Sequence, residues 1–349
     1  MKIFVTGASG FVGSHSAAAL LQAGHEVRFL ARQPEALRRH FARLGLQAND
    51  VVQGDMQDAR AMRLAMQECD AVLHAAAAVN LDARQAQATY RTNLAGVQNV
   101  VTAACEAGIG NVVYVSSLSV LFNPDLPNIA EDAPLALTQN PYAKSKTDAE
   151  RLARALQAQG GAVQITYPAA VLGPDDPKLC ESNGALATFV GKALPLTRSG
   201  FQFVDVRDIA QVHCALLEKT PHGDATGHRF ILGGHYLPWR ALASNLQQLT
   251  GRRPPAWPIP APVFRVLAWG MDGLQKVHPF STQLTGEAVD FMTRWSPADS
   301  ARVQAYTGLS FRPAQQTLAD TIAWLVQAGH LSARDAGLLI HHATKERAL

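Results

Sequence analysis

Short apolar runs alternate along the chain with longer stretches whose apolar residues recur every three or four positions, and this rhythm predicts strands and helices in turn. Lys2–Thr6, His25–Ala31, Asp50–Gly54, Ala71–His74, Val112–Val115 and Val163–Tyr167 read as strands. Helical periodicity fills the gaps, including one long helix from about Gln85 to Ala107. Strands alternating with helices imply right-handed crossovers and a parallel sheet covered on both faces. After Tyr167 the rhythm loosens into helical stretches in Leu179–Leu196, a strand at Phe201–Val206, a helix at Asp208–Glu218 and a short strand at His228–Leu232. Arg252-Arg253-Pro254-Pro255 breaks the chain before Pro258-Ile259-Pro260, which opens an apolar helix to about Leu274. The expected class is α/β: a doubly wound parallel sheet over residues 1–168 with returns near 201–218. A smaller substrate-binding lobe is expected over 169–330 and a helical tail over 331–349.

The first strand runs into Gly7-Ala8-Ser9-Gly10-Phe11-Val12-Gly13 and then a helix, the context that gives a glycine pattern meaning. Glycines let the backbone turn tightly and approach a pyrophosphate, which then sits at the positive helix N-terminus of a Rossmann unit. The spacing is G-x-x-G-x-x-G rather than G-x-G-x-x-G. A carboxylate at the end of the second strand would hold the ribose 2′-hydroxyl of NAD, whereas an Arg accommodates the 2′-phosphate of NADP. That strand ends Leu30-Ala31-Arg32-Gln33, so NADP(H) is favoured over NAD. Arg38 and Arg39 follow, either as part of a phosphate clamp or as solvated helix charges.

Near mid-chain, Pro141 presets a helix start, so Tyr142 and Lys146 fall at i and i+4 on one face. A phenol with a pKa of about 10 is a poor acid or base at neutral pH, and a neighbouring ammonium lowers that pKa. Such a pair can move a proton to or from an alcohol or ketone. The fourth strand opens into Ala75-Ala76-Ala77, small enough for close approach of a ligand, and the fifth into Ser116-Ser117.

With these residues in place, the chain resembles an extended short-chain dehydrogenase/reductase of the epimerase/dehydratase group. The signatures Thr6–Gly13, Gly54-Asp55-Met56, His74-Ala75-Ala76, Val115-Ser116-Ser117 and Tyr142-x-x-x-Lys146 stand in family order, with Pro168–Pro174 and Phe203–Ala210 resembling two later motifs. The resemblance implies that Tyr142 is the proton donor or acceptor, that Lys146 lowers its pKa and bonds the nicotinamide ribose, and that Ser117 bonds the substrate oxygen. Asn93 matches a proton-relay Asn, or is a buried structural amide. The resemblance also implies that Gly7, Ser9, Gly10, Phe11, Val12, Gly13, Arg32, Asp55, Met56, Ala75, Ala76 and Pro168 hold the cofactor together with Tyr142 and Lys146. Sugar-nucleotide dehydratases of this group carry Asp-Glu where Leu118-Ser119 stands, and epimerases carry Arg and Asn where Tyr167 and Ala170 stand. The run Tyr167–Pro174 and the Arg32 ending of the second strand are similar to the dihydroflavonol-reductase-like branch of carbonyl reductases and imply an NADPH-dependent reductase acting on a moderately apolar ketone or aldehyde. The alternatives are an NAD-dependent sugar epimerase and, behind it, a non-catalytic NADP-sensing protein. A dimer through the helices carrying Asn93 and Tyr142 is implied by analogy.

Composition narrows the rest. A net charge of +3 over 349 residues, with Lys and Arg spread out, gives no reason to expect nucleic acid or a membrane surface as partner. Cys69, Cys105, Cys180 and Cys214 are far apart, which fits reduced thiols in a cytoplasmic protein and no zinc site. No signal peptide or membrane span is expected. Leu118–Gln139, with Phe122, Pro124, Leu126, Pro127 and Ile129, either covers the substrate pocket or packs on the surface. Leu186, Phe189, Val190, Trp269, Met271, Phe280 and Phe291 are candidates for the cleft, each more naturally core. His213, His235 and His278 stand singly, and the tail carries His341-His342.

Overall fold

The computed structural model describes residues 1–78, 85–137, 141–221, 228–257 and 286–339. Strands β1 (Lys2–Thr6), β2 (Glu26–Ala31), β3 (Asp50–Gln53), β4 (Ala71–His74), β5 (Val112–Val115) and β6 (Val163–Pro168) all lie in one parallel sheet. Every residue of β4 and β6 is buried, as a parallel strand covered on both faces requires. Beyond β6 come β7 (Ala170–Leu172), β8 (Leu194–Pro195), β9 (Gly200–Asp205), β10 (Arg229–Leu232), β11 (His235–Pro238) and β12 (Ala256–Trp257). The main sheet has the order β10-β6-β5-β4-β1-β2-β3. Chain order therefore reverses between β1 and β4, where the register pairs Val5 with Leu73 and Thr6 with His74. Such a switch point opens a crevice at the carboxyl ends of the strands.

Residues 200–205 form β9 of a separate three-stranded sheet with β7 and β11. What returns to the main sheet is β10 at its edge, parallel to β6. An edge strand there shields the backbone groups of β6 that would otherwise be open to pairing.

Helices α1 (Phe11–Gln22), α2 (Pro34–Arg43) and α3 (Ala59–Ala65) connect the first four strands. The long helix expected over 85–107 is α4 (Ala86–Gly96), a π-helical turn Val97–Thr102, and α5 (Ala103–Glu106). The wider turn begins at Gly96, where an added Cβ would lie 3.0 Å from Met56 Sδ and 3.2 Å from the His74 ring. The backbone thus bulges where it runs beside the site. Next come α6 (Pro141–Ala158), α7 (Glu181–Gly191), α8 (Val206–Leu217) and α9 (Trp239–Thr250).

Two apolar cores result. One surrounds the main sheet, and the other gathers Leu186, Phe189, Val190, Phe203, Trp239, Leu242, Leu318 and Ile322. Each such side chain contributes about 1.5–3 kcal/mol by leaving water. Leu186, Phe189 and Val190 therefore belong to the lobe's core, not to a cleft wall. Asp205 caps α8, pairs with Arg207 at 2.7 Å and accepts from Thr317 at 2.9 Å; Arg207 reaches Asp320 at 2.7 Å. Asp208 pairs with the Arg312 side chain and accepts from its backbone N–H at 2.8 Å. The charged part of the Phe203–Ala210 motif is a strut that fastens α8 to the C-terminal helices.

His213, on α8, is fully buried and bridges Ser16 Oγ at 2.8 Å and Thr166 Oγ at 3.1 Å. His235 meets the Arg312 carbonyl at 2.6 Å. The four cysteines are unbridged. No helix among the described residues is long and apolar enough to cross a membrane. The expected helix opening at Pro258, the residues Trp269, Met271, His278 and Phe280, and the tail with His341 and His342 lie outside the described residues.

Candidate active site

The glycine turn is dictated by contact. Gly7 has φ +81°, and a Cβ there would sit 2.5 Å from the backbone of Ala75 and Ala76. A Cβ on Gly13 would lie 2.2 Å from the Gly7 carbonyl oxygen. Both positions admit only hydrogen, so the turn after β1 presses onto the turn after β4. The Gly10 N–H donates to Gly7 O at 2.9 Å, and Gly10 caps α1 without a side-chain hydrogen bond. The first N–H groups of α1 are left for a ligand. Ser9 is exposed in this turn, the Val12 side chain is half-buried, and the Phe11 ring turns inward against His15. His15 in turn meets the Pro174 carbonyl at 3.1 Å, locking α1 onto the turn after β7. Gly7, Ser9, Gly10, Phe11, Val12, Gly13, Ala75 and Ala76 thus form one cradle, with space where side chains would otherwise stand.

Beneath it, Thr6 Oγ meets His74 Nδ1 at 2.7 Å and accepts from the Ala76 N–H at 3.4 Å. Burial, and secondarily the nearby Lys146 charge, push the His74 pKa down to about 3. The imidazole is therefore neutral at any working pH, a hydrogen-bonding strut between the two turns.

Toward the outer strands, Arg32 follows β2 directly and is exposed, with no ion pair among the described residues. The Gly54 N–H donates to Ala31 O at 3.1 Å, so Arg32 and Asp55 leave adjacent strand ends. Asp55 accepts from the Gln57 N–H at 3.0 Å, and Asn99 donates to the carbonyls of Met56 at 3.0 Å and Gln57 at 2.9 Å, fixing that loop. Arg38 is occupied by Glu35 on its own helix, which favours the solvated-charge reading for it.

On the other side, Ser117 is the N-cap of a 3₁₀ turn (Leu118–Leu121) after β5, its Oγ 2.9 Å from Ser119 Oγ. Phe122 follows, stacked on Trp295 with ring centroids 5.1 Å apart and edge-on to Phe291 at 5.0 Å. The loop beyond is fastened to the lobe: Ser296 Oγ donates to Leu126 O at 2.5 Å, and the Ile129 N–H to Pro297 O at 3.0 Å. It is a built wall beside Ser117 rather than a slack surface strand.

Helix α6 carries Tyr142 and Lys146 one turn apart; the Tyr142 side chain lies outside the described residues. Lys146 is only 8% exposed. Burial pulls its pKa down to about 8 against an upward pull from Glu150. It is still mainly protonated at pH 7. Asn93, on α4, accepts from the Ala78 N–H at 2.7 Å and donates to Ala78 O at 3.1 Å and to Ser145 Oγ at 3.0 Å. It clamps the turn after β4 to α6. Pro168 is buried at the end of β6, between Tyr167 and Ala169, whose N–H reaches Leu232 O at 3.0 Å.

Sequence reasoning did not single out Glu150, although its spacing four residues after Lys146 was a legible signal; it had His74 only as part of the His74-Ala75-Ala76 signature, without its bond to Thr6, which spans 68 residues.

A cradle for a dinucleotide at the switch point of a parallel sheet, with a buried lysine beside it, is the architecture of a nicotinamide-dependent enzyme. The sequence profile of the NAD dependent epimerase/dehydratase family matches residues 3–233, and the chain belongs to that family. It is an oxidoreductase of the short-chain dehydrogenase/reductase type. Over 335 residues it is 28% identical to a putative dihydroflavonol 4-reductase of Synechocystis sp., covering 94% of this chain and 95% of that one. A 2-alkyl-3-oxoalkanoate reductase of Stenotrophomonas maltophilia is 30% identical over 260 residues, 72% of this chain and 76% of its own. Among solved structures, gox2253 superposes with a TM-score of 0.77 at 26% identity, covering 95% of this chain and 99% of that one. The UDP-glucose 4-epimerase of Bifidobacterium longum, in complex with NAD+ and UDP, shares the fold at TM-score 0.70 and 18% identity, covering 95% and 99%.

Proposed function

We propose that the protein is an NADPH-dependent reductase of an apolar ketone or aldehyde, or the corresponding alcohol dehydrogenase in reverse. The observation that carries this reading is the buried Lys146, still charged at neutral pH and one helical turn from Tyr142, on a helix that packs against the 3₁₀ turn capped by Ser117. Arg32 at the end of β2, where no acid stands, supports NADP(H) over NAD. The residues fit such a group, because Gly7 and Gly13 leave a cradle that a Cβ would fill. When bound there, the nicotinamide supplies the hydride.

The chain's own residues do the rest. The uncapped N-terminus of α1 receives the pyrophosphate. Ser117 orients the substrate oxygen, and Tyr142 gives that oxygen its proton, with the Lys146 ammonium making the phenol a stronger acid. Pro168 and the Phe122–Trp295 wall keep water from the reacting carbon. Asn93 holds α6 in register with the turn after β4. Pairing of two copies through α4 and α6 belongs to the same proposal and is read by sedimentation.

Nucleotide titration tests the reading: the stripped protein is mixed with NADPH or NADH and followed by fluorescence. A preference for NADPH of roughly a hundredfold, about 2.7 kcal/mol, with freely exchanging nucleotide, supports it. NAD that cannot be stripped, or a preference for NADH, overturns it in favour of a sugar epimerase. Binding of NADPH with no turnover of any carbonyl leaves the non-catalytic reading.

A further inference from the structure

Helix α6 carries a row of chemistry one turn apart: Tyr142, Lys146, Glu150 and Arg154. Glu150 is 0% exposed. Its Oε1 accepts from the Tyr167 hydroxyl at 2.5 Å and from Arg154 Nε at 2.9 Å, and Arg154 also donates to the Tyr167 oxygen at 3.2 Å. Its Oε2 is buried with no hydrogen-bond partner among the described residues. A purely mechanical link between α6 and β6 does not need a charge there, and leaving a buried carboxylate oxygen bare costs stability. Lys146 stands one turn earlier on the same helix and is buried like Glu150.

We infer that Glu150 is a positioning residue for proton transfer: clamped by Tyr167 and Arg154, its carboxylate keeps the Lys146 ammonium charged and thereby keeps Tyr142 competent. This rests on the reading of Tyr142 and Lys146 as the proton-handling pair. Among the described residues Glu150 is the acid that acts on Lys146; His74, from β4, is neutral, and Asn93 and Ser145, which meet beside it, are uncharged. Around Glu150, burial and the carboxylate itself hold the Tyr167 phenol well above its usual pKa, so it remains a donor. Burial alone drives the Lys146 pKa down, and Glu150 is the group that raises it. The unpaired oxygen is the cost of this arrangement, and the charged lysine its return.

The test compares Glu150→Gln with Tyr167→Phe in the full-length protein. The Lys146 Nζ signal, assigned by its loss in Lys146→Met, is titrated by NMR, and the pH profile of carbonyl reduction is recorded in parallel. In Glu150→Gln the Lys146 midpoint falls by about one unit or more, and the alkaline limb of activity moves down with it. Tyr167→Phe lowers thermal stability yet leaves the midpoint in place. Should Glu150→Gln not fold, because it strands Arg154, Glu150→Gln/Arg154→Gln removes both charges and is expected to show a shift in the same direction but smaller, since loss of the Arg154 cation offsets part of it. An unmoved midpoint in whichever variant folds reduces Glu150 to a mechanical link and overturns the inference. A midpoint that moves while the activity limb stays overturns instead the catalytic reading of Lys146, and the inference with it.

Discussion

Two buried charge clusters join the elements of this molecule, and they are completed to different degrees. Around Asp205, every charge is answered: Arg207 bridges Asp205 and Asp320, Thr317 fills another lone pair, and Asp208 takes the Arg312 side chain and backbone. Around Lys146, the chain stops short. Among the described residues the ammonium enters no ion pair, and one oxygen of Glu150 has no hydrogen-bond partner. The first cluster holds the lobe against α8, and its completeness is what a strut requires. The second borders the cofactor cradle, and its open valences are what a site requires. Completed charges mark joints, and uncommitted ones mark places where something else binds or reacts.

The sharpest way to break this comparison is to exchange the consequences. Tyr142→Phe or Lys146→Met should lower turnover by about 10²–10⁴, while thermal melting moves little, because Lys146→Met removes a buried charge rather than a bond. Steady-state kinetics beside melting curves decide it; a loss of activity matched by a collapse of stability would put Lys146 among the joints. Asp205→Ala should do the opposite. It strands Arg207 and Thr317 and should cost about 3 kcal/mol, at the low end for one partner of a buried pair because Arg207 is partly exposed. Urea midpoints at unchanged slope measure that cost.

The pH dependence separates the same two kinds of group. His74 and His213 are both held neutral, each pushed from 6.5 down to about 3, by burial in both and by Lys146 as well for His74. A depressed pKa means the unfolded state takes up the proton first. Their contribution is therefore fully present above about 6.5 and is lost progressively as pH falls toward about 3. Asp205 works in the same direction lower down, since its partners, Arg207 first, outweigh burial and depress its pKa. Unfolding by urea at about pH 7.5 and about pH 5 should show a falling midpoint, and His213→Gln should flatten that fall. A parallel fall in the variant would mean that His213 does not titrate between the two states.

Much of this was legible in the chain and some was not, for a physical reason. The strands that build the switch point announce themselves as short apolar runs. Gly7 and Gly13 are visible as a spacing, and Lys146 follows from a period of 3.6 residues. Each of those signals is local. The Asp205–Arg207 pair was visible only as a motif without a task, because Arg312, Thr317 and Asp320 stand more than a hundred residues away. Tyr167 was read as a departure from the epimerase pattern, whereas its phenol in fact completes a contact with Glu150 on another element. Sheet edges behaved likewise: β10 joins β6 from beyond the lobe's first strands, which no period along the chain could indicate.

Arg32 gives the smallest expected effect and the finest discrimination. Like Lys146 it is uncommitted, but it is exposed, so neither burial nor a partner constrains it. Arg38, on α2 just beyond it, is already spent on Glu35. If uncommitted cations mark ligand sites, Arg32→Ser should weaken NADPH binding about tenfold, roughly 1.4 kcal/mol, leave NADH binding unchanged, and shift melting of the nucleotide-free protein not at all. The loss should also shrink at high salt, because the pair it removes is solvent-facing and screened. Equal weakening of both nucleotides would place Arg32 on a phosphate they share. No weakening of either would make it a solvated charge like Arg38, and the comparison would then hold only for buried groups.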